Sequence, residues 1–230
     1  MRIGGLQKLA MVDFPGKVAA TVFTSGCNLR CPFCHNAPLV TRPEEAEDLT
    51  EEAVLDFLAG RRGLLDGVVL SGGEPLLQPG VEEFLARVRD MGYAIKLDTN
   101  GCYPRRLQEL LERGMVDYVA MDIKNSLEKY AETVGCPGFD TTAVKESAAL
   151  LMEGDVDFEF RTTAVKPFHT SEDMEAIGRW LSGAPRYFLQ TFVDSGNLVG
   201  EGCAPFSPSE MQEFAEKARP WFKTVAIRGI

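Results

Sequence analysis

Along the chain, short apolar runs rich in β-branched residues alternate with stretches whose apolar positions recur at three- and four-residue intervals. The runs Val18–Thr24, Gly67–Leu70, Ala94–Asp98, Tyr118–Ile123, Phe158–Thr163 and Arg186–Phe192 predict strands. Between them, Thr50–Arg61, Gly80–Met91, Pro104–Arg113, Thr141–Glu153 and Ser171–Leu181 predict helices. Thr50 followed by Glu51 and Glu52, and Thr170 followed by Glu172 and Asp173, are capping residues with acids in the first turn, while Gly92 and Gly114 read as helix stops. A last helix, Ser207–Ala218, leads to a strand at Val225–Arg228. Such alternation builds a parallel sheet wrapped by helices. The expected fold is α/β: a partial (β/α)6 TIM-like barrel, one domain over residues 1–230 with its core at about 18–193 and its C-terminal helix and strand over 207–230.

The distinctive polar motifs fall just after the predicted strands, which in β/α barrels is the catalytic face. After the first strand, Cys27, Cys31 and Cys34 lie within eight residues, with Phe33 directly before the last of them. A structural zinc site closes with four protein ligands, and an electron-transfer iron–sulfur cluster uses four thiolates. Three thiols point instead to a cluster with one iron left open. A zinc site completed by His35 and a redox pair Cys31–Cys34 are the alternatives. The first asks adjacent residues to fill two corners of a tetrahedron, and the second leaves Cys27 unexplained.

Ser71-Gly-Gly-Glu-Pro75 follows the second strand, where two glycines allow close backbone approach or serve as an ordinary turn. Asp98-Thr-Asn-Gly101 follows the third, as a turn or as a strand-end carboxylate facing the cluster. Met121-Asp-Ile-Lys124 follows the fourth, and alternation puts Asp122 and Lys124 on one side, as a structural ion pair or as site residues. Arg161 stands on the fifth and Gln190 on the sixth. His169 reads as a surface or capping residue, and Cys102, Cys136 and Cys203, which follow no ligand spacing, as small hydrophobes.

Of the 230 residues, 45% are apolar and 25% charged, and the net charge is −10 with a sequence pI near 4.8. The acidity, spread over helix surfaces such as Glu44-Glu-Ala-Glu-Asp48, argues against nucleic acid as a partner, because no basic cluster goes with it. No apolar run is long enough to span a membrane, and the N-terminus lacks a signal-peptide pattern. A reducing cytoplasm, where free thiols bind metals, is the expected location.

The spacing Cys-x3-Cys-x2-Cys resembles the signature of the radical S-adenosylmethionine (radical SAM) superfamily. Gly4-Gly-Leu-Gln-Lys8, Val12-Asp-Phe-Pro-Gly-Lys17 and Cys34-His-Asn36 narrow the likeness to the activating enzymes of glycyl radical enzymes, above all those of anaerobic ribonucleoside-triphosphate reductase. The resemblance implies the barrel type of that superfamily and a 4Fe-4S cluster on Cys27, Cys31 and Cys34. It also implies S-adenosylmethionine as cofactor, with a monovalent cation beside it in some members. Phe33, Gly72, Gly73, Glu74, Asp98 and Asn100 would then belong to the cofactor site. Arg161 would meet the methionine carboxylate and Gln190 the ribose. Asp122 and Lys124 would reach cofactor or substrate peptide. The implied partners are a glycyl radical enzyme and an electron donor of flavodoxin or ferredoxin type. A small-molecule radical SAM enzyme similar to 7-carboxy-7-deazaguanine synthase and a non-catalytic metal-binding module are the competing readings.

Overall fold

The computed structural model describes residues 1–42, 49–194 and 196–229; the acidic run at 44–48, expected on a helix surface, lies outside them. Eight strands form one sheet in chain order: β1 (Ile3–Ala10), β2 (Ala19–Thr24), β3 (Gly67–Gly72), β4 (Ala94–Thr99), β5 (Tyr118–Asp122), β6 (Asp157–Ala164), β7 (Tyr187–Thr191) and β8 (Val225–Arg228). β2 to β8 are mutually parallel, and β1 pairs antiparallel with β2. β1 and β8 are the two edges, so the sheet is a partial barrel, open between them.

The helices are α1 (Ala37–Thr41), α2 (Glu51–Ala59), α3 (Val81–Asp90), α4 (Pro104–Glu112), α5 (Tyr130–Thr133), α6 (Thr142–Glu153), α7 (Ser171–Trp180) and α8 (Pro208–Ala218). The six expected from periodicity are all present. α2 opens where Thr50 accepts from the Ala53 amide, and α7 and α8 each open on a capping box. α1 and α5 are too short to carry a helical period. β1 was not predicted either: of Ile3–Ala10 only the two end residues are buried, and the strand is held by its pairing with β2.

The pleat sorts each strand into two faces. Ile95 and Leu97 of β4, Val119 and Met121 of β5 and Phe158 and Phe160 of β6 belong to the buried apolar core, together with Phe84, Leu107, Leu151 and Ile177 of the helices. The alternate residues face the barrel interior in layers. At its base Phe14, Ala19, Val69 and Tyr118 form a small separate cluster, with Phe14 and Tyr118 6.1 Å apart between ring centroids. Phe14 is buried there, so the Asp-Phe-Pro-Gly turn plugs the barrel's lower end. Above it the interior is charged. Glu159 accepts from both terminal guanidinium nitrogens of Arg228, at 2.6 and 2.9 Å, and from the Tyr118 hydroxyl at 2.7 Å, which offsets the cost of burying its carboxylate.

Candidate active site

The cysteine loop leaves β2 and is clamped from three sides. The Gly26 amide donates to the Leu39 carbonyl at 2.7 Å, the Arg30 amide to Val134 at 3.0 Å, and the Glu74 amide to the Gly26 carbonyl at 2.9 Å. The Arg30 guanidinium donates back to the carbonyls of Cys27 and Leu29 at 2.7 and 2.8 Å. Gly72 and Gly73 permit this closeness. A Cβ on Gly72, whose φ is +118°, would lie 2.2 Å from the Thr24 nitrogen, and one on Gly73 would lie 2.0 Å from the Gly26 oxygen. The paired glycines therefore let β3's exit lie against the cysteine loop.

Cys27, Cys31 and Cys34 line one cavity of about 200 Å³. Its wall also carries Phe33, Gly72, Gly73, Asp98, Asn100, Asp122, Lys124 and Arg161, from five successive strand ends. Burial pushes the thiol of Cys27 up to about 11 and that of Cys31 up to about 12, and raises Cys34 as well. Such thiols stay protonated unless a metal takes the proton's place. Among the described residues, no three His, Cys, Asp or Glu side chains converge on a single ion position. Thiols that share a wall without meeting at a point fit a polynuclear cluster, in which each iron takes one thiolate, better than a zinc tetrahedron.

The charged residues form one chain across the cavity floor. Lys124 Nζ donates to Asp122 Oδ2 at 2.9 Å, Arg161 Nε to Asp122 Oδ1 at 2.9 Å, and Arg161 Nη1 to Asp98 Oδ2 at 3.3 Å. Lys96 closes the chain on Asp98, which also accepts the Ser71 hydroxyl at 3.1 Å. Burial alone would raise both acids. The Arg161 and Lys124 cations overcome it at Asp122, held at about 2, and Arg161 and Lys96 do so at Asp98, also lowered. The same carboxylates hold Lys124 and Arg161 in their charged forms.

Two expected site residues stand elsewhere. Glu74 is fully buried outside the cavity wall, where its carboxylate accepts the Leu76 amide at 3.0 Å, the Thr99 hydroxyl at 2.8 Å and the Asn100 amide at 2.7 Å. It ties the Gly-Gly-Glu turn to the Asp-Thr-Asn-Gly turn and does not line the cavity. Gln190 lines a second chamber of about 580 Å³, which shares Asp98 and Arg161 with the first and adds Asp13, Lys96 and Arg228.

His169 requires a correction. It is buried, not a surface residue: Nδ1 accepts the Val165 amide at 3.2 Å, and Nε2 faces the Lys124 carbonyl at 2.8 Å, steadying the strand end that carries Lys124. His35, considered only as a zinc ligand, lines the cavity with its ring 5.4 Å from that of Phe192. Ser71 and Thr163 also line it, and only their strand-end positions could have marked them. Cys102, Cys136 and Cys203 are free thiols packed against the core, as small hydrophobes would be.

The profile of the Radical SAM superfamily matches residues 21–181. A Methanocaldococcus jannaschii protein provisionally named a glycyl-radical enzyme activating enzyme is 32% identical over 99% of this chain and 96% of its own length. The pyruvate formate-lyase-activating enzyme of Staphylococcus aureus is 32% identical over 57% of each chain. Among solved structures, Streptococcus suis SuiB bound to S-adenosylmethionine superposes with a TM-score of 0.70 at 14% identity, over 88% of this chain and 48% of SuiB. The structure of native anSMEcpe with bound AdoMet gives 0.63 at 17%, over 89% and 62%. These two show the shared fold, and this chain spans about half the length of SuiB. Matched over most of its length by the superfamily profile and over nearly all of it by an activating-enzyme relative, the chain belongs to the radical SAM superfamily, in its group of glycyl-radical enzyme activating enzymes, whose cofactors are a 4Fe-4S cluster and S-adenosylmethionine.

Proposed function

We propose that this protein is an oxidoreductase of the cytoplasm that installs the glycyl radical of anaerobic ribonucleotide reductase, drawing its electron from a flavodoxin- or ferredoxin-type donor. The observation that carries the reading is the meeting of three thiols, Asp98, Asp122, Lys124 and Arg161 in one cavity at the open face of the barrel. Cys27, Cys31 and Cys34 would hold the cluster. When bound, cluster and S-adenosylmethionine together would supply a 5′-deoxyadenosyl radical able to take one hydrogen atom from the target glycine.

The chain's own residues do the rest. Phe33, Asn100 and the Gly72–Gly73 backbone wall the cofactor space. Lys124 and Arg161, held charged and in place by Asp122 and Asp98, offer fixed cations in the cavity wall to a methionine carboxylate. The second chamber, which shares Asp98 and Arg161 with the first, gives a substrate segment a place beside the cofactor. A monovalent cation near Asp98 and Asp122 would have to share carboxylates that Lys96, Arg161 and Lys124 already engage.

Anaerobic reconstitution followed by reduction with S-adenosylmethionine tests the reading. Wild type is expected to release 5′-deoxyadenosine and Cys31→Ala none. Addition of anaerobic ribonucleotide reductase is then expected to give a glycyl radical doublet in EPR. A fully loaded wild-type cluster that releases no 5′-deoxyadenosine would sink the catalytic reading. Release without the doublet would sink the choice of partner.

A further inference from the structure

Asn100 was expected to touch the cofactor; it lines the cavity, yet both polar atoms of its side-chain amide already have protein partners. Its Oδ1 accepts the Cys102 amide at 3.0 Å, and its Nδ2 donates to Asn28 Oδ1 at 2.9 Å and points to Cys27 Sγ at 3.7 Å. These contacts fix the amide's orientation. Turning it over would set Oδ1 against the Asn28 oxygen and the sulfur, and the NH2 group against the Cys102 N–H. The Asn100 backbone is pinned in turn, since its amide donates to buried Glu74. Asn100 is 5% exposed, so solvent does not compete for the donor. Cys27 also accepts the Leu29 amide at 3.4 Å. Its sulfur thus takes one donor from its own loop and one that the tertiary fold brings from 73 residues away.

We propose that Asn100 tunes the cluster by donating a hydrogen bond to the Cys27 sulfur, rather than by contacting S-adenosylmethionine. The proposal rests on the reading of Cys27 as a cluster ligand. Reduction adds negative charge to a cluster and its thiolates. An N–H donor stabilises that charge more in the reduced state, so it raises the reduction potential. Glu74 acts one step further out, as the group that positions Asn100.

The experiment is an EPR-monitored redox titration of the reconstituted wild type and of Asn100→Ala, Asn100→Asp and Asn28→Ala. In Asn100→Ala the reduced-to-oxidised ratio at fixed poise is expected to fall about tenfold, a downward shift of about 59 mV for a one-electron couple. Asn100→Asp, which keeps the acceptor for the Cys102 amide but replaces the donor with an anion, is expected to fall further. Asn28→Ala removes a partner of Asn100 without removing the donor, and is expected to titrate with wild type. The proposal is overturned if Asn100→Ala titrates with wild type, or if Asn28→Ala moves as far as Asn100→Ala. It is equally overturned if both Asn100 variants fail to load a cluster that Asn28→Ala accepts, since the role is then structural. If the cysteine reading itself is wrong, wild type shows no 4Fe-4S signal to titrate, which separates the two failures.

Discussion

Glu74→Gln gives an unusual prediction: the change should cost stability in acid and cost little or nothing at neutral pH. Glu74 is fully buried and spends two oxygens on three donors: Leu76 N–H and the Thr99 hydroxyl on Oε1, and Asn100 N–H on Oε2. Glutamine has one oxygen and an NH2 group that cannot accept, whereas even the protonated carboxyl keeps its hydroxyl oxygen as a second acceptor. If it replaces Oε1, its NH2 faces the Asn100 amide; turned over, its NH2 faces the Leu76 amide. Either way a buried backbone donor loses its acceptor, at about 1–3 kcal/mol.

The titration of the native residue works against this. Burial raises the Glu74 carboxyl from 4.5 to about 7, although three hydrogen bonds favour the ionised form. Between those values the folded protein keeps a proton that the unfolded chain has released, so stability falls as pH rises through the window. At about 1.36 kcal/mol per pH unit the fall amounts to about 3 kcal/mol, complete just above pH 7. Glutamine does not titrate. The variant should therefore be about 1–3 kcal/mol less stable than wild type near pH 5 and equal or better near pH 8. Urea denaturation of both apo proteins under reducing conditions at the two pH values reads the difference, and other titrating groups cancel between them. A deficit that is constant, or that grows with pH, would refute the reasoning and make Glu74 an ordinary ionised anchor.

Two further predictions concern the site's frame. Gly73→Ala places a methyl 2.0 Å from the Gly26 carbonyl and must push the cysteine loop away; iron content after reconstitution is expected to fall several-fold, and normal loading would show that the loop yields freely. Asp98→Asn leaves the Lys96 ammonium, 2% exposed, without the carboxylate that balances it. A loss of about 3–5 kcal/mol in denaturation is expected. Lys96→Met in the same background should recover most of it, and an additive double-mutant cycle would deny the pairing.

Much of the site was legible because its decisive residues are neighbours in sequence. Three thiols within eight residues mark a candidate metal loop by their spacing alone. The strand-end position of Asp98, Asp122, Lys124 and Arg161 follows from counting βα units, since parallel strands put all their C-terminal ends on one side. Periodicity of 3.6 and of 2 reports burial on one face, and that is why six helices and the inner strands could be read from it. β1, α1 and α5 escaped because an edge strand with two buried residues, or a helix of about one turn, repeats no pattern.

Tertiary structure decided what each side chain faces. Glu74 sits in a motif that reads as a ligand contact, yet two of its three partners, Thr99 at the end of β4 and Asn100 just beyond it, lie 25 and 26 residues on, and they turn it inward. Gln190 belongs to a second chamber because that chamber opens between the β1–β2 turn and β8, two parts of the chain that sequence does not connect. His169 is buried, with its Nε2 paired to a carbonyl 45 residues away. A hydrogen bond depends on fractions of an ångström between groups that strand register and order bring together. The sequence by itself therefore determined the type of chemistry and the face that bears it, since both arise from local pattern. Which side chains line the cavity, and which only hold those that do, was decided by long-range packing.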